Sequence, residues 1–167
     1  IDMRNQAVVD TLPAGDGPVG IDASPDGRRV LVADWYRNRL LVLAPGHAAP
    51  LQSIAVGRAP AGVAAHPDGR TVYVNESVQR RLWTFEVAPD GSLRNRRLLK
   101  TFPDHGFDGM RCDVDGNLYI TRPGKGTVAK VSPTGEVLRD IDVLGEHPSN
   151  LCFGGPDGRT VYVTEAK

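Results

Sequence analysis

The chain has 167 residues, 40% hydrophobic and 24% charged, which is typical of one globular domain and unlike a disordered chain. Its 20 basic residues balance its 20 acidic residues, so no overall charge draws it toward nucleic acid or anionic membrane, and we expect neither as a partner. The apolar runs are strand-length, far below the roughly 20 residues of a membrane-spanning helix, so we expect a soluble protein whose compartment, cytoplasmic, periplasmic or secreted, stays open.

A strand-turn-strand motif occurs four times along the chain. Its clearest copy is Pro60–Tyr73, and the Asp-Gly pair in its turn recurs at 26–27, 68–69, 115–116 and 157–158. These pairs lie 42, 47 and 42 residues apart. A fixed period in the forties with this content is typical of folds built from repeated β-units. The pairs lack the acidic array of an EF-hand loop, so they are interpreted as hairpin turns rather than calcium loops.

Short strands separated by turn residues follow one another in the same order in each unit. Residues 1–17 contain one strand-like stretch, Gln6–Leu12, interpreted as the last strand of a preceding blade. The units then run at about 18–57, 58–106, 107–146 and 147–167, in a single domain. The predicted strands are Gly20–Ser24, Arg29–Ala33, Arg39–Ala44, Leu51–Val56, Gly62–Ala65, Thr71–Val74, Leu82–Val87, Leu93–Lys100, Gly109–Asp113, Leu118–Thr121, Thr127–Ser132, Val137–Val143, Asn150–Phe153 and Thr160–Thr164.

The 13 prolines and 19 glycines favour many tight hairpins, and no stretch has the apolar period of a helix. The sequence therefore predicts an all-β protein, a β-propeller with about three complete four-stranded antiparallel blades and partial terminal blades. A sandwich of unrelated hairpins is the alternative, but it does not explain the repeat.

The number of blades leaves three arrangements open, because propellers close with roughly 4–8 blades. The chain can be a fragment of a six-bladed ring, which we favour, or it can pair with a second copy. In the third arrangement the N-terminal strand closes onto the fourth unit. An open fragment exposes blade faces and strand edges, which predicts self-association to complete the ring.

Two cysteines, Cys112 and Cys152, lie in corresponding strands of neighbouring units. Their spacing does not match a zinc site, and aligning the units puts the two side chains on different faces. We expect small buried thiols rather than a disulfide.

Two motifs, Phe107–Ile120 and Asn150–Thr164, resemble the gluconolactonase / senescence-marker-protein (regucalcin) family, and the resemblance extends over about 58–167. It implies a six-bladed propeller that holds a divalent metal, usually calcium, in its central channel and hydrolyses sugar lactones or related esters. Asp108, in Phe-Asp-Gly-Met, matches the aspartate that binds the metal in the family. Ala61 stands where the family has an asparagine ligand, and this departure implies an impaired metal site.

Several polar residues are expected on the same rim of the propeller, because the first strand of a blade leaves the rim to which the second returns. Asp108 is the candidate for metal binding and catalysis, since a cation held there can polarise a lactone carbonyl and acidify a bound water. Ser149, Asn150 and Glu76 are candidates for substrate binding. His105, in the loop before the third unit, is a candidate general base.

Each candidate also has a structural interpretation. Asp108 can form a turn, Asn150 can cap one, and Glu76 and His105 can be solvated surface residues. The sequence therefore predicts a metal-dependent hydrolase that acts on a small-molecule lactone or ester. A non-catalytic propeller that binds a ligand on its rim is the alternative, favoured by Ala61 and by the lack of a match to the family's N-terminal glutamate ligand.

Overall fold

A computed structural model describes residues 1–167 as fourteen β-strands without a helix. The structure contains no helix that is long and apolar enough to cross a membrane. The strands are β1 (Pro18–Ala23), β2 (Val30–Asp34), β3 (Arg39–Leu43), β4 (Gln52–Ala55), β5 (Pro60–Ala65), β6 (Thr71–Glu76), β7 (Arg81–Val87), β8 (Leu93–Thr101), β9 (Met110–Cys112), β10 (Leu118–Arg122), β11 (Thr127–Val131), β12 (Val137–Asp142), β13 (Pro148–Gly154) and β14 (Thr160–Glu165).

Consecutive strands form antiparallel sheets that we call blades one to four. Blades one, two and three are four-stranded, in the orders β1-β2-β3-β4, β5-β6-β7-β8 and β9-β10-β11-β12, and blade four is the hairpin β13-β14. Each of the fourteen predicted strands is present, with its ends shifted by at most a few residues. The predicted all-β propeller architecture is confirmed.

The turns between the first and second strands owe their shape to the recurring Asp-Gly pairs. The four glycines of these turns have positive φ, where a side chain is strained. In blade two, the Asp68 carboxylate accepts the backbone N–H of Arg70 at 2.8 Å, and Asp26 and Asp157 accept the equivalent N–H in their own turns. The predicted hairpin chemistry is therefore present.

Buried apolar side chains join blade one to blade two and blade two to blade three. Between blades two and three, Tyr73 and Leu82 pack with Phe107, Met110 and Ile120. A second cluster joins blade one to blade two. Because the hydrophobic contribution grows with the apolar area removed from water, these two clusters are the main force that holds the blades side by side.

The N-terminal stretch differs from the prediction. No strand forms at Gln6–Leu12, and the pairing nearby is one isolated bridge between Asp2 and Ala7. Leu12 and Ala14 instead pack against a small buried cluster of blade one. The arrangement in which this stretch closes onto blade four is therefore not the one observed, since β13 and β14 pair only with each other.

The two cysteines also differ from each other in their surroundings. Cys112 is half-buried, and burial raises the pKa of its thiol to about 12. Cys152 is exposed on the two-stranded sheet of blade four. The prediction of a buried thiol is wrong for Cys152, and both cysteines are free.

The second strands of three blades end in a carboxylate that ties down the loop before the same blade. Buried Asp34 accepts the Gly17 N–H at 3.0 Å, and buried Glu76 accepts the Gly57 N–H at 2.6 Å. Glu165 of blade four makes the equivalent contact with a backbone N–H. Each carboxylate thus acts as a clamp that satisfies a loop donor which has no strand partner.

We predict that Asp34→Asn lowers the free energy of unfolding at pH 7 by roughly 1–3 kcal/mol, because the buried carboxylate also accepts Arg39 Nε at 2.8 Å. Burial alone would raise the pKa of Asp34, but the hydrogen bonds from Arg39 and from backbone N–H groups outweigh it and lower the pKa below 3.8. The stabilisation is therefore present above the ordinary pKa and is lost as pH falls through the lowered pKa.

Urea unfolding at pH 7 and near pH 3 measures this difference, which should shrink at the lower pH. Asp90→Asn is the control, since Asp90 is exposed and its carboxylate bonds only within its own turn. A loss that is equal at both pH values would contradict the role of the ionised carboxylate.

Candidate functional site

The first strands β1, β5, β9 and β13 are neighbours in space and form the inner edge of the four blades. Corresponding residues, which we call the rim positions, lie at the start of β1, β5 and β13 and two residues before β9. They are Val19, Ala61, Asp108 and Ser149. The residue after each rim position is a glycine in blades one to three and Asn150 in blade four.

The glycines allow these first strands to approach closely. A Cβ at Gly62 would lie 2.6 Å from Asn75 Nδ2 and 2.7 Å from Met110 Cβ. A Cβ at Gly109 would lie 2.3 Å from Asn150 Oδ1. Such distances leave no room for a side chain, so glycine is required by packing at both positions. The rim positions of neighbouring blades are brought together as a result.

Asp108 stands at the rim with its backbone fixed and its carboxylate free. Its N–H donates to Thr121 O at 3.1 Å, and its carbonyl oxygen accepts Asn75 Nδ2 at 2.9 Å. The half-buried carboxylate accepts no hydrogen bond and forms no ion pair. Burial alone raises the pKa of Asp108, because no donor or nearby charge opposes it.

Asn75 is a site residue that the sequence analysis missed. Its side chain is fully buried, and its Oδ1 accepts the N–H of Gly62 at 2.8 Å and of Ala61 at 3.3 Å. Its Nδ2 reaches across to the carbonyl oxygen of Asp108 in the next blade. One buried amide therefore ties two rim positions together. The available signal was a polar residue near the end of the otherwise apolar strand β6.

Thr121 makes the corresponding link one blade further along. It is buried, and its hydroxyl lies 3.2 Å from both Gly109 O and Ser149 O. The Gly109 N–H also donates to Ser149 O at 2.8 Å. The backbones of blades three and four are therefore locked together next to Asp108.

Ser149 and Asn150 are the predicted substrate-binding residues that the structure brings next to Asp108. The Ser149 hydroxyl bonds to Thr164, at 3.1 Å from its hydroxyl. Asn150 is exposed, and its Oδ1 accepts the N–H of Leu151 at 2.8 Å. The Asn150 amide nitrogen stays free to donate, so the rim beside Asp108 offers one carboxylate and neutral polar groups.

Glu76 does not join this group. Its side chain is 1% exposed, and Oε1 accepts both the Gly57 N–H and Arg96 Nη2 at 2.6 Å. The structure therefore uses Glu76 as the clamp of blade two, turned away from solvent. A role in substrate binding finds no support in this geometry.

His105 is also held away from the Asp108 carboxylate. Its Nδ1 lies 3.5 Å from Asp104 Oδ2, and its ring lies beside Gly124 in the β10–β11 turn. Its backbone has positive φ, and its carbonyl oxygen accepts Arg122 Nη2 at 3.3 Å. The predicted general base thus faces the outer part of its own blade.

The donor set suits a hard cation in type but is incomplete in number. Calcium takes 6–8 oxygen ligands, and the Asp108 carboxylate supplies the one free anionic group at the rim. Ala61 contributes no side-chain oxygen, and nowhere in residues 1–167 do three or more His, Cys, Asp or Glu side chains form a metal cluster. The residues present therefore fit a loosely held cation with water among its ligands.

Comparison with known proteins identifies two families of similar sequence. A family model for the SMP-30/gluconolactonase/LRE-like region matches residues 37–167, and one for a YNCE-like β-propeller matches 1–71. Regucalcin from Danio rerio is 37% identical over 79 residues, which are 46% of this chain and 27% of the relative. A 6-deoxy-6-sulfogluconolactonase from Pseudomonas putida is 32% identical over 89 residues, 52% of this chain and 31% of the relative.

Solved structures share the fold over most of the chain. A regucalcin from Agrobacterium tumefaciens, described as a calcium-binding protein, superposes with a TM-score of 0.75 at 22% identity and covers 88% of this chain and 52% of its own. A gluconolactonase from Xanthomonas campestris has a TM-score of 0.72 at 25% identity and covers 87% and 52%.

The chain thus spans about half the length of these structures and under a third of the length of the curated relatives it matches. Because residues 37–167 make up most of the sequence, the chain belongs to the SMP-30/gluconolactonase/LRE-like family.

Proposed function

We propose that this chain carries the Asp108 portion of a site that hydrolyses sugar lactones or related esters with a divalent cation, calcium being the first choice. The observation that carries the proposal is the half-buried Asp108 carboxylate, which lacks any hydrogen bond or ion pair. Burying an unpaired charge costs free energy, so a side chain kept in this state is a candidate for function.

The surrounding residues hold Asp108 in a fixed position. Asn75 and Thr121 bond its peptide groups, so the carboxylate starts from a rigid backbone. The carboxylate oxygens of Asp108 would hold the cation, and the Asn150 amide beside it can donate to a substrate hydroxyl or carbonyl oxygen. When bound, the cation would polarise the lactone carbonyl and lower the pKa of a water.

A serine nucleophile is not required by this proposal. The chain has no G-x-S-x-G motif, and the Ser149 hydroxyl is engaged with Thr164. A ring ester is activated enough for attack by water. A general-base role for His105 stays a prediction, and its ring would have to leave Asp104 to reach the rim.

A non-catalytic binding module is the second candidate, and Ala61 favours it. Ala61 is 2% exposed and has no side-chain oxygen, although it occupies the rim position next to Asp108. A rim with one carboxylate can bind a polar ligand without holding a cation tightly enough for hydrolysis.

We predict that Asp108→Asn raises the melting temperature of the metal-free protein at pH 7, because it removes a desolvated charge. The pKa of Asp108 is raised by burial, so the stability of the wild type falls as pH rises from 3.8 through the raised pKa. The difference in melting temperature between Asp108→Asn and the wild type should therefore vanish below about pH 4, where the wild-type carboxyl is protonated. Calcium at about 100 times its Kd should add about 2.7 kcal/mol to the wild type and nothing to the variant.

Thermal unfolding with and without millimolar calcium measures both effects. Asp115→Asn is the matched control, since Asp115 is an exposed aspartate in a turn of the same blade. The same calcium shift in wild type and Asp108→Asn, or none in either, would remove Asp108 from the proposed metal site.

We predict that Ala61→Asn tightens calcium binding by roughly tenfold or more, because it adds an amide oxygen at the rim position beside Asp108. Isothermal titration calorimetry measures the Kd. Ala61→Leu is the control of similar size, and it should show no tightening. A folded Ala61→Asn protein with unchanged affinity would mean that residue 61 does not face the cation.

We predict that the wild type hydrolyses gluconolactone in a calcium-dependent way and that Asp108→Asn lowers kcat/KM by roughly a hundredfold, a loss typical of one electrostatic group. Acid release followed in a pH-stat measures the rate, with Asp115→Asn as control. Background rates for the wild type would leave the binding module as the proposed function.

A further inference from the structure

The loop that carries Asp108 meets its blade differently from its counterparts. The six residues 102–107 separate β8 from Asp108, much as five and six residues precede Ala61 and Ser149, but β9 begins only at Met110, whereas β5 and β13 begin before their rim positions. The rim position of blade three therefore lies in the loop 102–109 rather than in a strand. Because loop residues move more easily than strand residues, the position of Asp108 depends on contacts within that loop.

Blade three differs from the others at the clamp position. Its second strand ends in Arg122, where the other blades have Asp34, Glu76 and Glu165. A carboxylate clamp accepts backbone N–H groups, but a guanidinium can only donate. In blade three, which carries Asp108, the clamp residue therefore donates hydrogen bonds and the loop accepts them, the reverse of the other blades.

The Arg122 side chain is 1% exposed and its donors are directed at the middle of the loop. Nη2 donates to Asp104 Oδ1 at 2.7 Å and to the backbone oxygens of Asp104 and His105. One nitrogen thus holds two consecutive carbonyl groups and a carboxylate. A buried cation is stable only with such partners.

The guanidinium also lies beside two aromatic rings, one near each end of the loop, which contact each other edge to face. Its Cζ lies 4.6 Å from the ring centroid of Phe102 and 5.9 Å from that of Phe107. Phe107 directly precedes Asp108. Cation–π attraction is worth more where water is excluded, so Arg122 holds the loop at its start, middle and end. Its buried Nε has no hydrogen-bond partner, a cost to stability.

We propose that Arg122 is the positioning residue of the Asp108 site: through Asp104, His105 and Phe107 it holds the loop 102–109 in the conformation that places the Asp108 carboxylate at the rim. This inference rests on the proposed function of Asp108. Arg122 itself does not reach the rim, since its contacts lie within the loop.

The test compares Arg122→Gln with Arg122→Lys by calcium calorimetry and by hydrogen–deuterium exchange of the loop amides. Arg122→Gln should raise the calcium Kd about tenfold or more, as removal of an outer contact does at metal sites, and should speed exchange within 102–109. Arg122→Lys should give a calcium Kd and a loop exchange rate between those of the wild type and Arg122→Gln, because it keeps the positive charge but loses the planar set of donors.

Arg96→Gln is the matched control. Arg96 also pairs with a carboxylate, Glu76, at 2.6 Å and lies 3.8 Å from the ring centroid of Trp83, but it belongs to blade two. Its loss should leave the calcium Kd within about twofold. A folded Arg122→Gln protein with unchanged calcium Kd and unchanged loop exchange would overturn the inference.

A milder change covers the case in which Arg122→Gln does not fold. Asp104→Asn keeps the buried cation and removes its charged partner, and it should raise the calcium Kd by about two- to fivefold with faster loop exchange. Unchanged values of both would overturn the inference.

If the wild type binds no calcium, the metal part of the proposed function fails by itself. Hydrogen–deuterium exchange of the loop amides then tests the positioning role of Arg122. Faster exchange in Arg122→Gln confined to residues 102–109 supports that role, and unchanged exchange overturns it.

Discussion

The close approach of neighbouring first strands is the constraint on which the rest of the structure depends. Gly62 and Gly109 leave no space for a Cβ, so each first strand lies directly against the next. Asn75 and Thr121 then bond across the boundary through buried side chains. The rim is therefore a rigid assembly of backbone, and Asp108 takes its position from that assembly.

Charged residues at the ends of the second strands complete the inner part of each blade. They satisfy loop groups that no strand can pair, which is why Asp34 and Glu76 are buried although they are ionisable. Arg122 performs the same task with opposite polarity. A repeated backbone position can thus accept either charge, provided that the loop opposite presents the complementary groups.

The rim itself combines stabilising and destabilising features. Asp108 is desolvated and unpaired, whereas the buried Asn75 amide beside it bonds through both its oxygen and its nitrogen. This contrast is typical of functional sites, where one strained or unsatisfied group is held by a well-satisfied surrounding. At Ala61, however, the rim has no side-chain oxygen, so the cation site that we propose depends on few protein ligands.

Some of the predicted features failed because they depended on partners that the sequence does not specify. The stretch Gln6–Leu12 has the apolar character of a strand, but a strand needs a neighbouring edge, and here only Leu12 packs on blade one while Val8 and Val9 stay exposed. Cys152 is exposed for a related reason, since the exposure of β13 depends on whether a sheet covers it. Glu76 was assigned to the rim, but its direction follows from the loop that it clamps.

The sequence by itself determined the all-β class, all fourteen strands and the hairpin turns, because alternating apolar residues and Asp-Gly pairs act over a few neighbouring residues. It also predicted Asp108 and Asn150 on the same rim, since equal repeats start at the same rim. Only the tertiary structure decided which polar side chains have hydrogen-bond or ion-pair partners and which have none. Asn75, Glu76 and Arg122 find their partners about 13 to 33 residues away, across a sheet or a blade boundary, where side-chain direction and packing settle the contact.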